Sequence, residues 1–103
     1  MTTFTDLPLP APLARAIEAA GYTTPTAIQA AGLPAILAGR DLIGQARTGS
    51  GKTVAFGLGL LAALDAGAVR LQALVLCPSR ELADQVSREV RKLARFIPNV
   101  KVL

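Results

Sequence analysis

The sequence predicts an α/β fold, a parallel sheet with helices packed on it, and three features of its 103 residues carry that prediction. Short apolar runs alternate with longer stretches of helical period, the order expected of strand, crossover helix and next strand. The runs are apolar throughout rather than at every second position, as in strands covered on both faces. A Gly-rich turn joins the first run to the helix after it, which is where phosphate-binding turns sit. An apolar fraction of 51% with 17% charged residues supplies the core that such layers need and excludes a disordered chain.

Taken in order, Met1 to Pro10 is an extended lead-in containing Phe4 and two prolines. Ala11 to Ala20 reads as a short helix closed by Gly21. Thr24 and Pro25 read as the N-cap and first-turn proline of a second helix, which Gly32 and Pro34 break or kink before a last turn to Ala38. Asp41 to Gln45, with Leu42 and Ile43, is the first strand. Lys52 to about Ala66 is a helix apolar on almost every side and therefore predicted to lie against the sheet. Ala73 to Cys77 is the clearest strand, ended by Pro78. From about Arg80 to Ile97 an amphipathic helix puts Leu82, Val86, Val90, Leu93 and Ile97 on one face, and Val100 to Leu103 begins a third strand. Three short strands with two crossovers leave sheet edges unpaired. The expected organisation is therefore a lead-in and helices over residues 1–40, then the first part of a sheet domain over residues 41–103, truncated from a longer protein.

Composition narrows the chemistry. No histidine is present, so a His/Cys zinc site and a Ser-His-Asp triad are excluded, and the lone Cys77 has no internal disulfide partner. The longest apolar run, Val54 to Leu64, falls short of the ~20 residues of a membrane helix. With no leader pattern at the N-terminus, the chain reads as soluble and cytoplasmic, without a membrane partner. Residues 80–103 hold six of the eleven cations against three of the seven anions, a balance compatible with an anionic partner. The stripe of Arg88, Arg91, Lys92 and Arg95 reads as a solvated helix face, and Cys77 as part of the core.

Ala46-Arg47-Thr48-Gly49-Ser50-Gly51-Lys52-Thr53 carries the most specific chemistry. Small residues let successive backbone N–H groups converge, the start of the following helix adds positive potential, and Gly49 and Gly51 keep side chains away from phosphate oxygens. Lys52 is placed to reach the β and γ phosphates, and the Thr53 hydroxyl to ligate magnesium. The usual first glycine of the pattern is replaced by Ala46. This loop specifies a nucleotide phosphate site without choosing among ATPases, GTPases, kinases and transporters.

Phe4 lies 17 positions before Gly21, and Gly21-Tyr22-Thr23-Thr24-Pro25-Thr26-Ala27-Ile28-Gln29 precedes the loop. Together these resemble the Q motif of DEAD-box RNA helicases. Pro78-Ser79-Arg80-Glu81-Leu82-Ala83 is similar to that family's motif Ia, with Ser79 in place of the usual threonine. The resemblance implies a RecA-like P-loop domain that binds ATP with Mg2+. Adenine would stack on Tyr22 and be read by the Gln29 amide, which offers it one acceptor and one donor. Phe4 joins that ATP-binding set, and Pro78, Ser79, Arg80 and Glu81 would meet the RNA sugar-phosphate backbone. Hydrolysis needs carboxylates at a strand end. Asp65, Glu81, Asp84 and Glu89 fall on helices, and the family's Asp-Glu-Ala-Asp and Ser-Ala-Thr motifs are not in the sequence. The implied partners are thus ATP, RNA and the remainder of a helicase in cis or trans. The alternatives are a non-catalytic module that needs a complementing chain, and a P-loop ATPase that does not act on RNA.

Overall fold

The computed structural model describes residues 3–47, 49 and 51–103. After a 3-10 turn at Phe4–Asp6 come four helices: α1 (Ala11–Ala19), α2 (Ala27–Leu37), α3 (Lys52–Ala62) and α4 (Arg80–Leu93). The apolar character of α3 makes it the centre of the packing, with α2 on one side, α4 on another, and α1 touching both α3 and α4. Leu13, Leu33, Leu58 and Leu93, one from each helix, are the largest fully buried side chains. Two glycines set the helix spacing. A Cβ at Gly59 would collide with Cγ2 of Ile36 on α2, and one at Gly57 would come to 2.9 Å from Cδ1 of Leu93 on α4.

The helix ends follow local bonding. Gly21, with φ +80°, closes α1 as the N–H groups of Gly21 and Tyr22 bond the carbonyls of Glu18 (3.0 Å) and Ile17 (3.1 Å). The expected N-cap at Thr24 is corrected to Thr26, because the Gln29 side chain reaches back to the Thr26 backbone N–H. Gly32 and Pro34 do not break α2: burial of Gly32 and Leu33 against its neighbours outweighs the one backbone bond that Pro34 removes. α3 ends at Ala62 rather than near Ala66, and α4 at Leu93 rather than Ile97.

The parallel sheet is not formed: no described residue is in a strand. Segments 41–47 and 71–78 have no regular secondary structure. A strand exists only through a partner that takes up its backbone N–H and C=O groups. Among the described residues no backbone bond joins these segments to each other. Ile43 at 94% and Leu76 at 85% exposure show how far their apolar side chains remain from a covered sheet face. No helix among the described residues is long and apolar enough to cross a membrane.

Candidate nucleotide-binding site

The site is built at the start of α3. Gly51, its N-cap, has φ +89°, and Gly49 has φ +83°. A Cβ at either would strain the turn. Lys52 opens the helix and donates from Nζ to the Ala46 carbonyl at 2.7 Å, so its ammonium lies over the loop that begins at Ala46. Gln29 stands behind the loop, buried in the first turn of α2. Its Oε1 accepts from the Thr26 backbone N–H at 2.9 Å, and its Nε2 donates to the Gly51 carbonyl at 3.1 Å. One amide thereby fixes the start of α2 to the end of the loop across 22 residues. It retains one N–H and one oxygen lone pair for a further partner.

Tyr22 leaves the end of α1 and donates its hydroxyl to Oε1 of Glu89 on α4 at 3.3 Å. Burial first, and then the neighbouring Glu89 carboxylate, push its phenol above the ordinary tyrosine value. A cavity of about 970 Å3 has Tyr22, Gly49, Gly51, Lys52 and Thr53 in its wall, with Leu42 and Val75 to Cys77 facing them. The structure thus brings Tyr22 to the same cavity as the phosphate loop. Gln29 contributes from behind the wall, through Gly51. Phe4 does not reach the cavity; it is buried in the core with Leu13 and Ile17. Thr48 and Ser50 lie outside the described residues.

The expected RNA-contacting segment lies at the start of α4, and none of Pro78, Ser79, Arg80 and Glu81 is among the residues lining the cavity. Pro78, Arg80 and Glu81 are exposed. The Ser79 hydroxyl accepts from the Leu82 N–H at 3.1 Å, so it caps the helix, and Arg80 has no ion-pair partner among the described residues. No cluster of three metal-ligating side chains exists among the described residues. Thr53, at the cavity wall, fits the role of a single hydroxyl ligand to a magnesium ion carried mainly by phosphates. Two site features escaped sequence reading. The Thr26-x-x-Gln29 capping box was readable as a motif. The Glu89 contact to Tyr22, between residues 67 apart, left no local signal.

Residues 26–103 match the family described as DEAD/DEAH box helicase. Over its whole length the chain is 61% identical to the ATP-dependent RNA helicase DbpA of Escherichia coli K12, of which it spans 23%. It is 46% identical, over 98% of its length, to the ATP-dependent RNA helicase DeaD of Mycobacterium tuberculosis, of which it spans 18%. Among solved structures, S. cerevisiae Dbp5 bound to RNA and ADP BeF3 superposes with a TM-score of 0.88 at 36% identity, over 93% of this chain and 25% of that one. A DEAD box protein from the hyperthermophile Methanococcus jannaschii superposes with a TM-score of 0.84 at 36% identity, over 90% of this chain and 26% of that one. The chain therefore spans about a quarter or less of the relatives it resembles.

Proposed function

Because the chain belongs to the DEAD/DEAH box helicase family, we propose that it is the nucleotide-binding front of an ATP-dependent RNA helicase. The observation that carries this reading is the single hydrogen-bonded unit made by Ala46, Gly51, Lys52 and Gln29 at the start of α3. In it the Lys52 ammonium, the positive end of the helix and unblocked glycine backbone face one cavity, an arrangement that suits a triphosphate. Lys52 exchanges the Ala46 carbonyl for phosphate oxygens, and the Thr53 hydroxyl supplies a magnesium ligand. Tyr22 offers a ring face to adenine, and Gln29 offers its remaining N–H and lone pair. Pro78, Ser79, Arg80 and Glu81 approach the RNA backbone at the start of α4, where Arg80 is free to meet a phosphate.

The rest of the helicase completes the fold and the chemistry. Segments 41–47 and 71–78 become strands of a parallel RecA-like sheet when neighbouring strands take up their backbone groups. The carboxylates that hydrolysis requires come from that remainder, so this chain binds nucleotide without turning it over. Titration of the chain with a fluorescent ATP analogue in magnesium buffer tests the reading. Lys52→Ala removes a charge-assisted bond of about 1.5–3 kcal/mol, an affinity loss of about ten- to hundredfold. Equal binding by parent and variant sinks the phosphate assignment. Equal competition by GTP and ATP instead favours a P-loop ATPase without adenine readout.

A further inference from the structure

The basic stripe of α4 gains a different meaning once its neighbours are known. At about 100° per residue, Arg80, Arg88 and Arg91 fall within about 80° of arc on one side of α4, with Lys92 at the margin, and Arg95 follows in the turn just past the end of the helix. All five are exposed, and Val86, Val90 and Leu93 bury the opposite side. Asp84 is the one acid inside that arc, and Arg88 takes it up in the single ion pair among the described residues. A sixth cation arrives from a different helix. Arg15 of α1 places its guanidinium 4.1 Å from the centroid of the Phe96 ring, and Arg95 places its own 4.9 Å from the same centroid.

Two like charges on one ring need a reason to stay together. A solvated helix face gives none, because exposed arginines on separate helices separate freely in water. The half-buried Phe96 ring attracts both guanidiniums through its face and so keeps them beside one another. Among the described residues neither Arg15 nor Arg95 donates a side-chain hydrogen bond or meets a carboxylate within ion-pair distance. Glu18 is the acidic side chain near Arg15 along α1, and it forms no ion pair with it. Paired planar guanidiniums without an acceptor among the described residues suit phosphate oxygens.

We propose that the Arg15–Phe96–Arg95 stack is a second contact to the RNA phosphate backbone, at the far end of a basic ridge that starts at Arg80. This rests on the RNA reading above and extends it. The 14 residues of α4 are about 21 Å long, so a strand engaged at Arg80 meets the stack about six phosphates later at duplex spacing. The ridge then tracks one backbone, with Arg91 and Arg95 between and at its end.

Binding of a fluorescein-labelled 12-nucleotide RNA, measured by anisotropy from 50 to 200 mM salt with the full chain, tests the proposal. Arg15→Gln/Arg95→Gln removes two phosphate contacts, which lowers the log–log salt slope by about 1.4 for a single strand. The parent's advantage over this variant then shrinks about sevenfold across that salt range. Arg15→Lys/Arg95→Lys keeps the charge and retains most of the slope, which separates charge loss from misfolding. An unchanged slope in the Gln variant, with Arg80→Gln still weakening RNA binding, overturns the stack and leaves the proposed function standing. No RNA binding by the parent at 50 mM overturns both. Binding of the parent to phosphatidylserine vesicles that depends on Arg15 and Arg95, with an unchanged RNA slope, assigns the stack to membranes and also overturns it.

Discussion

Gly51→Ala isolates what the contact between α2 and the phosphate loop contributes. The backbone there has φ +89°, and placing an L side chain in that region costs about 1–2 kcal/mol. The added Cβ also falls on Nε2 of Gln29 and within 2.9 Å of Oγ1 of Thr26. Gln29 is only 4% exposed, so it has little room to give way without surrendering its bonds to Gly51 and Thr26. Losing the tie to Gly51 and leaving the buried amide unsatisfied adds about 1–3 kcal/mol. Together these predict about 3 kcal/mol of destabilisation. Gly49→Ala provides the internal control. Its φ of +83° imposes the same kind of strain, yet a Cβ there meets nothing within 4 Å, so the cost is the dihedral alone, about 1–2 kcal/mol.

Urea unfolding of the chain followed by circular dichroism measures both, with the difference between midpoints multiplied by a common slope giving the difference in stability. Combining Gly51→Ala with Gln29→Ala removes the atom that the Cβ strikes, so the second substitution should cost less in the double variant than alone. If Gly51→Ala destabilises no more than Gly49→Ala, the Gln29 amide is not packed against the loop, and the reasoning that joins the two motifs fails.

Two further outcomes follow from packing and charge. Tyr22 is the only tyrosine and the chain has no tryptophan, so absorbance at high pH titrates this one phenol. Its midpoint should lie above the ordinary value of about 10, and Glu89→Gln should lower it only part of the way, because burial is the larger cause. A raised phenol value means that the associated stability is present below about pH 10 and is lost as pH rises through the folded midpoint. An unshifted midpoint contradicts the Tyr22–Glu89 contact. Gly59→Ala drives a methyl into Ile36 and should cost about 1–3 kcal/mol in the same urea assay. Ile36→Ala in the same chain should recover part of that loss, whereas strict additivity of the two would place the glycine outside the α2–α3 contact.

The helices were legible because helical period and end signals are local. The start of α4 at Arg80 and Gly21 closing α1 stand where the sequence put them. The start of α2 moved by two residues because two threonines compete there, and only Thr26 has a glutamine three positions on to complete the box. The apolar runs at 41–45 and 73–77 read as strands in the sequence but pair with nothing among the described residues. Hydrogen-bonded pairing is a relation between segments, and no local pattern supplies the missing partner. The same distinction divides the site. Lys52 could be assigned from its place after the glycines, whereas the direction of the Gln29 amide and the Tyr22 hydroxyl depends on residues far along the chain.

Those distant contacts alter how the site must work. Sequence spacing treats the adenine-reading residues and the phosphate loop as neighbours in line, each free to meet its part of a nucleotide. In the fold one of them, Gln29, is already bonded to the loop. Gln29 holds the carbonyl of Gly51, the N-cap of α3, and Lys52, the next residue, holds the carbonyl of Ala46. On the proposed reading, a base that draws on the Gln29 amide pulls on the backbone at Gly51, where the loop meets α3. A triphosphate that displaces Ala46 from Lys52 loosens the other side of that loop. The proposed function then predicts that adenine and phosphate recognition are coupled through one residue, Gly51, and that weakening this tie turns an adenine-selective loop into a generic one.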